Sequence, residues 1–137
     1  MKMTLHRLDD GFHMQSTNED GLTVESDASP AIGGQNKAMR PMQMVLAALG
    51  SCSSIDVIHL LNKQRQILRD IKIEITAQRA DAVPAVFTAI QVHYKLYGEL
   101  NEKKVERACR LSMEKLCSVS KMLEKSVDIS WSYEVLP

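Results

Sequence analysis

Three cysteines, Cys52, Cys109 and Cys117, are the side chains best suited to do chemistry here. A thiol works as its thiolate, which attacks oxygen and sulfur electrophiles. Free cysteine has a pKa of about 8.5, so only a few per cent is ionised at pH 7. A nucleophilic cysteine therefore needs help from its surroundings. Cys52 lies in "AALGSCSS", inside a long apolar stretch with almost no charge. Cys117 lies in "KLCSVSKML". The competing reading of any one cysteine is a small core residue. An odd number of cysteines at wide spacing is no disulfide framework.

Helix spacing places Cys52, Asp56 and His59 on one stripe, at i, i+4 and i+7. His59 is about 10 Å along the axis from Cys52, too far for a Cys–His pair. A carboxylate beside a thiol raises its pKa, so Asp56 is no activator by itself, although it can position an arginine. Cys52 sits about ten residues into its helix, beyond the reach of the helix N-terminus. The remaining source of activation is a cation or a donor. A guanidinium at 4 Å supplies roughly 4 kcal/mol at an effective dielectric of about 20. No CxxC or HExxH motif is present, and His6, His13, His59 and His93 are scattered. Neither a metal nor a cofactor is expected.

The elements that must position these residues follow from periodicity. Met3–Leu8, Phe12–Thr17 and Leu22–Ser26 are short segments separated by "DDG" and "NEDG", and read as a meander of strands. "SPAIGGQNK" reads as a flexible loop. Pro41 suits a first helical turn, and a helix runs from Met42 to about Gln64. "IKIEITAQ" and "AIQVHYKLYG" alternate as strands, the second with Ile90, Val92, Tyr94 and Leu96 on one face. Asn101 can cap a second helix carrying Val105, Ala108, Cys109, Ser112 and Leu116. That helix puts Cys109 and Cys117 on nearly the same face. "VDISWSYEV" closes the chain as a strand, with Val127, Ile129, Trp131, Tyr133 and Val135 on one face. The order is βββ-α-ββ-α-β, an α+β fold in one domain over residues 1–137.

The first helix has no Lys or Arg between Met42 and Asn62. It is apolar on several sides and needs cover on several sides, which one small sheet does not give. A second copy of the chain is the expected cover, hence a homodimer. Lys plus Arg number 17 and Asp plus Glu number 17, which argues against nucleic acid as a partner. The N-terminus lacks an apolar core of signal-peptide length. Met42–Leu61 is interrupted by Ser51, Ser53, Ser54, Asp56 and His59, a poor membrane span. A soluble, cytoplasmic protein without membrane or nucleic-acid partners is expected.

The segments "RPMQMVLAALGSCSSIDVIHLLNKQR" and "ERACRLSMEKLCSVSKML" resemble the OsmC/Ohr family of osmotically inducible and organic-hydroperoxide-resistance proteins. The resemblance covers nearly the whole chain. It implies an intertwined homodimer with long central helices and two interfacial active sites. It also implies a thiol peroxidase cycle acting on alkyl or lipid hydroperoxides in oxidative and osmotic stress defence. Cys52 would be the peroxidatic nucleophile and Cys117 the resolving thiol, with a dithiol reductant, lipoyl-type or other, restoring the pair. Cys109 has no counterpart role.

The family's hydroperoxide reductases pair an N-terminal arginine with a glutamate about ten residues before the first cysteine. Here Met42 stands at that place, followed by Gln43. Gln43 offers hydrogen bonds but no ion pair. Arg40 and Arg7 are both candidates for the activating cation. The competing expectations are a non-catalytic dimer binding a small apolar or thiol ligand at the subunit interface, or a redox sensor.

Overall fold

The computed structural model describes residues 1–137, which divide into two compact units, 1–47 and 48–137. In the first, β1 (Met3–Arg7), β2 (Met14–Asn18) and β3 (Thr23–Ser26) form an antiparallel meander with β2 in the centre. The Asn18 side chain closes the second turn, accepting from the backbone N–H groups of Asp20 (3.0 Å) and Leu22 (2.9 Å). Gly21 takes the left-handed conformation there, at φ 80°.

The segment expected to be a flexible loop is organised instead. It carries a single 3₁₀ turn at Pro30–Ile32. Asp27, only 3% exposed, accepts from the N–H groups of Ala28 (2.7 Å), Gln35 (3.2 Å) and Lys37 (3.1 Å). One carboxylate thus holds a loop of ten residues by its backbone, which a polar, glycine-bearing sequence does not announce.

Helix α1 spans Pro41–Lys63, with Pro41 as its first residue as the sequence predicts. In the second unit, β4 (Asp70–Arg79) and β5 (Phe87–Tyr97) pair antiparallel, and β6 (Asp128–Leu136) lies parallel to β5 on its other side. β5 is therefore central. Its Ile90, Val92, Tyr94 and Leu96 are at most 1% exposed, the face that alternation predicts. Leu49, Ser53, Val57 and Leu61 of α1, spaced four apart, are all 0% exposed. A Cβ at Gly50 would stand 2.8 Å from the Ile75 Cδ1 atom, so the absent side chain lets α1 approach β4 closely.

The mixed α+β order matches expectation except in one place. The second helix is not continuous to Cys117. α2 (Glu102–Leu111) is followed by a π turn over Ser112–Leu116, and a new short helix α3 spans Ser118–Leu123. Cys117 lies between them with extended backbone, φ −66° and ψ 108°. Cys109 and Cys117 consequently do not share one helix face. The wider turn rotates the chain so that Cys117 begins α3 rather than ending α2.

α1 is long and apolar enough to cross a bilayer, yet only 28% of its most apolar stretch is buried within the chain. Ile55 on this helix is 63% exposed.

Candidate active site

The second unit gathers Cys52, Asp56 and Cys117. The two sulfurs and a carboxylate oxygen all lie within 4.8 Å of one another. Cys52 and Asp56 stand one turn apart on α1, so the helix sets their spacing. Cys117 reaches them because the π turn ends the preceding helix and leaves an extended residue. Cys52 and Asp56 are half-buried, and Cys117 is 0% exposed.

The Cys117 sulfur caps α3, accepting from the Ser120 N–H at 3.4 Å. Its own N–H donates to the Ser112 carbonyl at 2.8 Å. Burial pushes the Cys117 thiol up to about 11; the Ser120 N–H opposes this and the neighbouring Cys52 sulfur adds to it. Cys109, also 0% exposed, is pushed up to about 12 by burial and by Glu106. It stands outside the cluster.

Asp56 is held from behind. The Ser112 hydroxyl lies 3.1 Å from Asp56 Oδ2 and donates to it. Ser53 Oγ is 3.0 Å from Ser112 Oγ and also hydrogen-bonds the Tyr94 hydroxyl. Each hydroxyl has one proton, and the carboxylate only accepts. In one orientation Tyr94 donates to Ser53, Ser53 to Ser112, and Ser112 to Asp56; the Ser53 carbonyl, 3.2 Å from Ser112 Oγ, is a second acceptor for the Ser112 proton. Ser53, Ser112 and Tyr94 are all fully buried, so this line is sheltered from water. Burial raises the Tyr94 phenol above its ordinary value, which keeps it a donor.

Of the other residues singled out in the sequence, Arg7, Arg40 and Gln43 belong to the first unit. Gln43 Oε1 accepts from the Arg40 N–H at 3.1 Å, a local contact at the start of α1. Arg40 is half-buried just before that helix, and Arg7 is exposed on β1. His59 is exposed. His93 sits on the opposite face of β5 from the core, between Ser132 Oγ (2.8 Å) and Glu134 Oε1 (3.1 Å). Sequence reasoning placed Asp56 on the stripe of Cys52 but missed Ser112 and Tyr94. Ser112 reads there as one more residue of a helix stripe, and Tyr94 as one more core position of a strand. Their hydroxyls meet only through the fold.

The sheet order, the long α1 and the paired thiols define a class. The chain belongs to the OsmC-like protein family, which it matches over residues 34–132. Protein YhfA of Escherichia coli K12 is 47% identical over 102 residues, covering 74% of this chain and 76% of that protein. A crystal structure of a hypothetical protein from Aquifex aeolicus VF5 is 32% identical, with a TM-score of 0.82 over 99% of this chain and 97% of that one. An organic hydroperoxide resistance protein OsmC from Legionella pneumophila has the same fold, with a TM-score of 0.72 at 22% identity over 97% and 95% of the two chains.

Proposed function

We propose that the protein is a two-cysteine thiol peroxidase for organic hydroperoxides, acting in oxidative stress defence in a reducing compartment such as the cytoplasm. One observation carries the reading: the two sulfurs are within 4.8 Å, one half-exposed and one fully buried. Peroxide reaches Cys52 first. Its thiolate attacks the outer oxygen of ROOH, the O–O bond breaks, and RO⁻ takes up a proton and leaves as alcohol. Cys52 becomes a sulfenic acid. The Cys117 sulfur then attacks Cys52, an S–S bond forms, the S–O bond breaks, and water leaves with the Cys117 proton. An external dithiol reduces the disulfide by exchange and is itself oxidised.

In this reading Arg40 or Arg7 supplies the positive charge near the thiolate, and Gln43 a hydrogen bond. The working unit is a homodimer. Its support is α1, whose apolar window is mostly uncovered by its own chain. The test is consumption of cumene hydroperoxide with a dithiol, lost in Cys52→Ser. Undiminished turnover in that variant would overturn the reading.

A second reading, a non-catalytic dimer or redox sensor, draws on Met42 and Gln43 standing where the family's peroxidases carry a glutamate. A sensor forms the disulfide without sustained turnover; a binder forms none.

A further inference from the structure

We propose that the reduced protein binds a thiophilic divalent cation, Zn²⁺ in the first instance, between Cys52 Sγ, Cys117 Sγ and an Asp56 carboxylate oxygen. This inference stands apart from the peroxidase reading, since it requires only the reduced thiols. The three atoms already lie within 4.8 Å of one another. Zn²⁺ takes thiolate at about 2.3 Å and carboxylate at about 2.0–2.2 Å, so tetrahedral donors stand roughly 3.4–3.8 Å apart. Side-chain shifts on the order of an ångström bring all three donors to that spacing.

The donor set is chemically apt. The two soft thiolates select zinc over magnesium or calcium, and a carboxylate oxygen is an accepted third zinc ligand. On binding, the thiol protons leave to solvent, and the divalent cation compensates the charge of the two thiolates and the carboxylate.

The surroundings resemble a built site. Ser112 Oγ donates to Asp56 Oδ2 at 3.1 Å, the outer partner that fixes a ligating carboxylate. Ser112 is itself 0% exposed and is held by Ser53. The Ser120 N–H fixes the Cys117 sulfur. Cys52 and Asp56 are only half-buried, so this side of the cluster is partly open to solvent in the single chain. Spacing alone concealed the set, because Cys52 and Asp56 lie on α1 while Cys117 comes after two further strands and α2.

Zn²⁺ alone, titrated calorimetrically into the reduced full-length protein, should bind one ion per chain. Cys117→Ser and Cys52→Ser should each weaken binding at least 100-fold, and Asp56→Asn at least 10-fold. Cys109→Ala should bind as the parent does. With Co²⁺ as the probe, a thiolate-to-metal charge-transfer band should appear and lose about half its intensity in either of the first two variants. Should Cys117→Ser misfold, as judged by circular dichroism, Asp56→Asn and the Co²⁺ band of the parent decide. Absence of binding, or equal binding by Asp56→Asn and the parent, overturns the proposal. Hydroperoxide turnover without zinc binding refutes the metal site alone. Zinc binding without turnover refutes the peroxidase alone.

Discussion

The sulfurs of Cys52 and Cys117 lie within 4.8 Å of each other, although strands β4 and β5 and helix α2 intervene in the chain. Cys52 is fixed by a helix whose buried face docks on the sheet. Cys117 is fixed by the π turn that ends the second helical segment. A disulfide needs the sulfurs at about 2.05 Å, so they must close by up to about 2.7 Å to form the bond.

Exposure separates the three thiols. Cys52 is half-buried, while Cys109 and Cys117 are 0% exposed. Iodoacetamide at neutral pH should label Cys52 at least about 10-fold faster than the other two, because alkylation needs an accessible thiolate. Mass-spectrometric timing of each peptide checks this. Equal rates for Cys52 and Cys109 would contradict the burial pattern.

The buried hydroxyl line should be felt in stability. Ser112→Ala removes the donor to Asp56 and leaves Ser53 Oγ only the Met113 sulfur as an acceptor. Stranding buried polar partners costs about 1–3 kcal/mol, so urea unfolding should show a loss of that size. Tyr94→Phe should cost less, since it removes a donor whose acceptor, Ser53 Oγ, keeps its other contacts.

The Asp27 loop should be acid-sensitive. Its carboxyl is held below the ordinary 3.8, first by the Lys37 N–H and further by those of Ala28 and Gln35. A folded-state value below the unfolded one gives stabilisation that is fully present above the unfolded value. It is lost as pH falls through the folded one. The protection of the Gln35 and Lys37 amides, measured relative to intrinsic exchange at each pH, should therefore hold at neutral pH and fall only below 3.8. Asp27→Asn should show fast exchange of both already at neutral pH.

Self-association should depend on α1. Ile55 is 63% exposed on a helix whose apolar window is 28% buried. Ile55→Asp should weaken the proposed dimer at least about 10-fold, the equivalent of 1.4 kcal/mol. Sedimentation across a concentration series reads this directly. A parent that stays monomeric throughout would remove the dimer from the account.

Much of this was legible in sequence because periodicity reports burial. Ile90, Val92, Tyr94 and Leu96 alternate and line the core, and Pro41 opens α1. The one-turn spacing of Cys52 and Asp56 is likewise a helix property. The π turn was not legible. Val105, Ala108, Cys109 and Ser112 keep helical spacing up to the break, and no proline or glycine lies between Ser112 and Leu136. The loop around Asp27 was also hidden, since a carboxylate that gathers backbone N–H groups leaves no periodic mark. Side chains that meet only in three dimensions, Ser112 with Asp56 and Tyr94 with Ser53, lie beyond any one-dimensional pattern.

The most direct test is a non-reducing peptide map after one equivalent of cumene hydroperoxide. The account predicts a Cys52–Cys117 disulfide in the parent, free Cys109, and no such bond in Cys52→Ser. An unmodified Cys52 after that treatment, or a disulfide that uses Cys109 instead of Cys117, would contradict it.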